Sequence, residues 1–131
     1  MVSGVSGQPE GEGADGGRFG VETSTRADAV VLVLSGELDH DTAEPLREAL
    51  RQGVAAAPER ILVDCADLQF CDSTGLNVLL HARLAAREAG SRIELAALRQ
   101  PVARMFDITG AHAVFRVHAS VAAALADERP A

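Results

Sequence analysis

The sequence contains no tryptophan, no tyrosine and no lysine, so its basic side chains are all arginines. These twelve arginines are spread singly between Arg18 and Arg129, while the formal net charge is −7. A nucleic-acid-binding surface would show a basic stripe together with aromatic side chains for base stacking. The composition therefore argues against direct nucleic-acid binding and favours a partner with a cationic surface.

Cysteine is also scarce. Cys65 and Cys71 do not form a CxxC pair and the four histidines are scattered, so neither a metal site nor a cofactor is predicted. The two thiols are predicted to be small buried hydrophobes in a reducing compartment. The sequence shows no secretory signal pattern and no apolar run that could span a bilayer. We therefore expect a cytoplasmic protein without membrane insertion.

The length of 131 residues, 47% of them hydrophobic, predicts one small domain with its own core. Residues 1–17 fall outside this domain. Their six glycines and three acidic residues leave too little apolar surface to offset the entropy of ordering. We predict a disordered tail over 1–17 and a folded domain over 18–128.

Strand-like and helix-like segments alternate along the rest of the chain. An alternating stretch at 18–23 and an apolar run at 30–34 predict a hairpin, joined by a link at 24–28, whose first strand lies at a sheet edge. Further strands are predicted at 61–65, 91–97 and 114–117, with helices at about 41–57, from 72–74 to Gly90, at 101–106 and at 120–128. The order β-β-α-β-α-β-α-β-α indicates an α/β fold with a mixed, mostly parallel five-stranded sheet.

The first helix is predicted to begin close to Asp41. Asp41 and Glu44 have capping-box spacing, and Pro45 is acceptable only in the first turn of a helix. Asp39 and Asp41 are interpreted as turn-forming and capping residues, because a metal pair would lack further ligands nearby. The predicted buried stripe of this helix consists of Leu46, Leu50 and Val54.

A polar turn at residues 72–74 separates a buried strand from the second helix. Asp72, Ser73 and Thr74 are all competent N-cap residues, so at least one of them is predicted to accept a hydrogen bond from the first turn. The Ser73 hydroxyl then lies at a helix N-terminus, where an added negative charge is favoured. Helix capping alone is the competing interpretation. The predicted buried stripe of this helix consists of Leu76, Leu79, Leu80 and Leu84.

Three segments, at 36–44, 72–76 and 102–110, carry a resemblance to a known family. Their sequences are GELDHDTAE, DSTGL and VARMFDITG. In this order and at this spacing they resemble signature stretches of the anti-anti-sigma factors, which are single STAS-domain proteins. The resemblance covers roughly residues 18–128 and implies a STAS fold.

The resemblance also implies a phosphorylation switch. In that family a partner that is both serine kinase and anti-sigma factor phosphorylates the serine of the Asp–Ser–Ser/Thr–Gly turn, which corresponds to Ser73. The unphosphorylated domain binds the anti-sigma factor and frees sigma, and a serine phosphatase restores the serine. The implied partner-binding residues are Asp39, Asp72, Thr74, Gly75 and Leu76. The free protein is expected to be a monomer.

Two other functions are compatible with parts of this sequence. Ser73, His81 and Asp72 contain the atoms of a hydrolase triad, but His81 lies about 12 Å from Ser73 by helical rise. We therefore predict that the chain is not an enzyme. A STAS scaffold or adaptor subunit of a signalling or lipid-transport complex would keep the same fold. Assembly into large particles without phosphorylation by any serine kinase would identify that role.

Overall fold

The computed structural model describes residues 18–127. The predicted tail at 1–17 and the predicted domain end at Glu128 lie outside these residues. The described part contains five strands and four α-helices in the predicted order, which is confirmed: β1 (Gly20–Arg26), β2 (Ala29–Leu38), α1 (Ala43–Ala55), β3 (Arg60–Cys71), α2 (Ser73–Glu88), β4 (Arg92–Ala96), α3 (Gln100–Thr109), β5 (Val117–His118) and α4 (Val121–Ala126). A 3₁₀ turn at Ala111–Ala113 precedes β5.

The strands form one mixed sheet in the order β1-β2-β3-β4-β5. β1 pairs antiparallel with β2 and lies at the edge of the sheet, as predicted. All other neighbouring strands pair parallel, so the predicted fold class is confirmed. The link predicted at 24–28 is too long, because the ladder continues to the pair Arg26–Ala29 and leaves only a two-residue turn.

β2 is apolar on both faces because helices cover both faces of the sheet. Leu32 and Leu34 belong to the main core, to which α1, α2 and α3 contribute. Ala29 and Val31 belong to a smaller cluster on the other face, where they pack with Ala124 of α4. The main core therefore fixes α2, and with it the polar turn at 72–74, against the sheet.

β2 and β3 extend further than the apolar runs predict. The sequence pattern ends β2 at Leu34, whereas pairing continues until Leu38 lies opposite Cys71. Two register shifts keep the ladder continuous through this more polar stretch. Gly36 has a left-handed φ of +84°, which residues with a side chain rarely adopt. The longer ladder carries the ends of both strands out to Asp39 and Asp72.

The start of α1 differs from the prediction. Thr42 occupies the N-cap position, and its side chain makes no hydrogen bond into the helix. The predicted capping box between Asp41 and Glu44 is therefore wrong. The Thr42 hydroxyl instead donates to the Glu37 carbonyl at 2.9 Å, and Glu44 pairs with Arg47 at 2.6 Å. The predicted stripe is buried at Leu46 and Leu50 and half-buried at Val54.

The predicted stripe of α2 is buried at Leu76 and Leu79, but Leu84 is 52% exposed. Leu84 lies five residues after Leu79, which is about 140° around the helix axis. Ala86, two turns after Leu79, takes the inner position and is fully buried. The prediction for Leu84 is therefore wrong, although Leu80 is half-buried as part of the same face.

The last strand is shorter than the predicted 114–117, because ladder pairing is confined to Val117–His118. Phe115 instead closes the core, with its ring centroid 6.1 Å from that of Phe106 in α3. The predicted cap of the final helix is confirmed, since the Ser120 hydroxyl accepts a hydrogen bond from the Ala123 amide at 3.0 Å.

Candidate functional site

The carboxyl ends of β2 and β3 meet at one edge of the sheet. The two strands are parallel neighbours, and the Asp72 amide donates a hydrogen bond to the Leu38 carbonyl at 3.0 Å. The loop that begins at Asp39 and the turn that contains Ser73 therefore start side by side. Crevices beyond the carboxyl ends of parallel strands are where ligands and partners bind in open α/β sheets.

Asp72 is the N-cap of α2. Its Oδ1 atom accepts hydrogen bonds from the amides of Thr74 at 2.9 Å and Gly75 at 3.2 Å. Its backbone carbonyl accepts the first helical bond, from the Leu76 amide at 3.1 Å. The prediction that one residue of the 72–74 turn caps this helix is thereby confirmed, and the residue is the aspartate.

Ser73 is the first residue of α2 and is exposed. Its hydroxyl makes no hydrogen bond to any residue in the range 18–127. The interpretation of Ser73 itself as the cap is therefore wrong, because Asp72 already satisfies the amides at the second and third helical positions. The serine hydroxyl faces solvent at the positive end of a sixteen-residue helix.

Gly75 and Leu76 are buried beneath this turn, each with little or no exposed surface. Both belong to the packed start of α2, and Thr74 is half-buried between them and the solvent. Ser73 is therefore exposed, whereas the other predicted site residues of the turn are half-buried or buried. Gly75 and Leu76 hold the turn against the sheet.

The carboxylate of Asp39 is bonded within its own loop. Its Oδ1 atom accepts from the amides of Asp41 at 2.9 Å and Thr42 at 3.2 Å. The Asp39 amide in turn donates to the Thr42 hydroxyl at 2.9 Å. These bonds confirm the interpretation of Asp39 as a turn-forming residue. The loop that Asp39 shapes lies next to the turn that contains Ser73.

The two thiols on β3 are buried and free. Burial, reinforced by the negative charge of Asp72, raises the pKa of the Cys71 thiol to about 12. Burial also raises the pKa of Cys65, with smaller contributions from Cys71 and Asp64. Both thiols are protonated at neutral pH and so are poor nucleophiles, in agreement with their predicted role as small hydrophobes.

Phe70 is a candidate site residue that the sequence patterns did not identify. Its side chain is 46% exposed, whereas the other three phenylalanines, Phe19, Phe106 and Phe115, are at most 8% exposed. Phe70 lies three residues before Ser73, at the end of β3. The side chain of Phe70 points outward because of the way in which β3 pairs with β2. A run of apolar residues in the sequence does not reveal this pairing.

The atoms of the rival hydrolase triad do not converge. His81 lines a groove between α1 and α2 together with Leu50 and Val78, two turns along the helix from Ser73. Among residues 18–127, no group of three or more His, Cys, Asp or Glu side chains could hold a metal ion. No helix in this described range is both long and apolar enough to cross a bilayer.

Comparison with known proteins gives consistent results. The family described as "Mlab, STAS domain" matches residues 21–126. An anti-sigma-B factor antagonist from Listeria monocytogenes is 31% identical over 83 residues, 63% of this chain and 73% of the relative. An anti-sigma factor antagonist from Mycobacterium paratuberculosis has the same fold, with a TM-score of 0.76 at 23% identity over 82% of this chain and 92% of its own. The Bacillus cell fate determinant SpoIIAA in its phosphorylated form is 26% identical, with a TM-score of 0.64 over 85% of this chain and 99% of its own.

The chain forms a STAS domain. This class is defined by the order of the strands and the arrangement of the helices, and the family match spans almost the whole described chain. The chain belongs to the STAS-domain family of anti-sigma factor antagonists. The resemblance carried by the segments 36–44, 72–76 and 102–110 is thereby confirmed at the level of family and fold.

Proposed function

We propose that the unphosphorylated chain binds an anti-sigma factor that is also a serine kinase, and that this binding releases a sigma factor. Phosphorylation of Ser73 by the same partner ends the interaction, and a separate serine phosphatase restores it. In this role the chain is a cytoplasmic, non-catalytic binding module that is a monomer when free.

The observation that supports this proposal most strongly is the position of Ser73. Its hydroxyl is exposed and makes no hydrogen bond to residues 18–127, so a kinase can reach it without disturbing the core. The neighbouring Thr74 is only half-exposed. SpoIIAA, a relative of similar fold, is known in a phosphorylated form.

The geometry also explains how the fold would tolerate the phosphate. A phosphoserine at the first helical position lies at the positive end of the α2 dipole, where an added negative charge is favoured. The helix is therefore not expected to unfold. The added charge of about −1.5 to −2 instead changes the surface that a partner meets. It adds to the charge of Asp72 in a chain whose net charge is already −7.

We assign distinct roles to the residues of the proposed binding surface. Ser73 and Phe70 would contact the partner directly, because both are exposed. Asp72 would hold the turn through its capping bonds and Asp39 would fix the adjacent loop, so both act as positioning residues. The remaining residues of the surface are Thr74, which is half-buried, and Gly75 and Leu76, which are buried and shape the turn.

Incubation of the full chain with ATP and its cognate kinase, followed by peptide mapping, tests the proposal. We expect a single phosphate on Ser73 and none in Ser73→Ala. Phosphate recovered on Thr74, or persisting in Ser73→Ala, would contradict the assignment. A chain that no co-purified kinase modifies and that assembles into large particles would instead support the scaffold role.

A further inference from the structure

A cavity of about 600 Å³ lies between the C-terminal half of α2 and the first residues of β4. Four of the twelve arginines line it: Arg83, Arg87, Arg92 and Arg116. Glu94 is the one acidic residue of the lining, and Ile93 and Val114 provide apolar wall. This concentration of guanidinium groups stands out in a chain with a net charge of −7.

The two arginines of α2 project from the same side of the helix, because they are four residues apart. Neither Arg83 nor Arg87 forms a hydrogen bond or an ion pair with another residue in 18–127. Two like charges at this spacing destabilise a helix by a few tenths of a kcal/mol. Arg87 in the last turn also offsets the helix dipole, but that reason does not extend to Arg83.

The opposite wall is held in place by the carboxylate of Glu94, which is only 2% exposed. Its Oε2 atom lies 2.8 Å from Arg92 Nε and 3.7 Å from Arg116 Nη1. Its other oxygen, Oε1, bonds Arg60 at 3.2 Å and His118 at 2.9 Å. Glu94 thus orients two guanidinium groups at the cavity wall before any ligand arrives.

We propose that this cavity binds a small anion that carries two or more phosphate groups. Guanidinium groups bind phosphate oxygens through paired, charge-assisted hydrogen bonds. The cavity has the volume of an ordinary small-molecule site, and fixed side chains on one wall lower the cost of ordering upon binding. Arg83 and Arg87 bind the anion from α2, while Arg92 binds it from the start of β4 and Arg116 from the residue before β5.

The site is separate from the proposed phosphorylation surface. Arg83 is ten residues beyond Ser73 along α2, about 15 Å by helical rise, and Arg87 is one turn further. The two proposals are therefore tested independently. Ser73→Ala is expected to bind the anion as the unchanged chain does.

Calorimetric titration of the full chain with pyrophosphate, at two salt concentrations, tests the proposal. We expect saturable binding that weakens as salt rises. Arg83→Gln and Arg87→Gln should each weaken it roughly tenfold, the equivalent of one charge-assisted hydrogen bond. Arg104→Gln on α3 is the matched control: this exposed arginine lies outside the cavity, and its removal changes the net charge equally.

Four outcomes would overturn the proposal: no binding of pyrophosphate at millimolar concentration, undiminished binding by the Arg83→Gln/Arg87→Gln double variant, an equal loss in Arg104→Gln, or equal affinity for inorganic phosphate and pyrophosphate. Inorganic phosphate is titrated in parallel. Equal affinity for phosphate and pyrophosphate would contradict the requirement for two phosphate groups. Circular dichroism confirms that each variant is folded, so a loss of binding reports on the cavity.

Discussion

Gly75 lies so close to Leu38 that a methyl group on its Cα would come within 2.6 Å of the Leu38 Cγ and Cδ2 atoms. The same methyl group would be 3.0 Å from the Cys71 Sγ. Leu38 is fully buried at the end of β2, so its side chain cannot move aside into solvent. The absence of a side chain at position 75 is what allows the start of α2, and therefore Ser73, to lie directly on the ends of two strands.

We predict that Gly75→Ala lowers the free energy of unfolding by about 1–3 kcal/mol, the usual cost of overpacking. Gly53→Ala in α1 is the matched control. A Cβ there would meet its nearest atom, Ile61 Cδ1, at an ordinary 3.4 Å. Alanine should then be neutral or stabilise by up to about 1 kcal/mol through helix propensity. Urea denaturation measures both, and equal effects would contradict the close approach.

Asp72 and Ser73 are predicted to differ in their contribution to stability. Asp72→Ala removes the cap that bonds two amides and should cost about 1 kcal/mol, within a range of 0.5–2. Ser73→Ala removes an exposed hydroxyl without an intramolecular partner and should change stability by less than about 0.5 kcal/mol. Thermal or urea unfolding compares them directly. A larger loss in Ser73→Ala would show that the serine caps the helix.

The sequence was sufficient for the element order, the sheet class and the polar turn, because helix and strand periodicities and cap residues are local signals. It was insufficient for the extended ladder at Leu38 and Cys71. That pairing depends on two register shifts between distant segments, which no local pattern encodes. The exposure of Phe70 also results from these register shifts. From the sequence alone, an apolar residue at this position would be expected in the core.

Among the proposed site residues, Ser73 could be identified from the sequence motif. Which residue of the turn caps α2 and which one is exposed could be seen only in the structure. Three adjacent residues could each cap α2, and only the backbone geometry shows that Asp72 accepts both amide bonds. The prediction for Leu84 was wrong because the spacing i, i+3, i+4, i+8 places its last residue away from the helix face centred on Leu79. The residue that is buried at this level is Ala86, and a single alanine is a weak hydrophobic signal in a sequence.

Glu94 is predicted to make the stability of the fold sensitive to acid. Burial raises the pKa of its carboxyl, but hydrogen bonds from Arg92, His118 and Arg60 outweigh burial and lower the pKa below the ordinary 4.5. The unfolded chain therefore takes up this proton at a higher pH than the folded chain. The stabilisation is complete above about pH 4.5 and is lost as the pH falls through the lowered folded-state pKa.

Glu94→Gln should accordingly cost about 3–5 kcal/mol at pH 7, because it leaves the buried Arg60 without a counter-charge. It should also flatten the acid dependence of unfolding below pH 5. Glu88→Gln, which alters an exposed carboxylate at the end of α2, serves as the control and should have little effect. Denaturation at a series of pH values decides the matter, and parallel acid profiles for Glu94→Gln and the unchanged chain would refute the assignment.

Phe70 is predicted to be an anchor for the partner. The few hot-spot residues of an interface cost about 2 kcal/mol or more when truncated to alanine, and aromatic anchors near its centre are typical of them. Phe70→Ala should therefore weaken binding of the anti-sigma factor by tenfold or more, while the stability changes little. Leu84→Ala is the control, because Leu84 is similarly exposed on α2 but lies three turns from Ser73. Equal losses of affinity in the two variants would remove Phe70 from the surface.

The most direct test of the central claim is the dissociation constant of the full chain for its cognate anti-sigma factor, measured with and without phosphate on Ser73. The phosphate is added by the kinase and located by peptide mapping, and both forms are shown to be folded. We predict that phosphorylation weakens binding at least about tenfold, because the new charge lies on the contact surface. Ser73→Ala should bind as the unphosphorylated chain does. Equal dissociation constants for the two forms of the protein would contradict the phosphorylation switch.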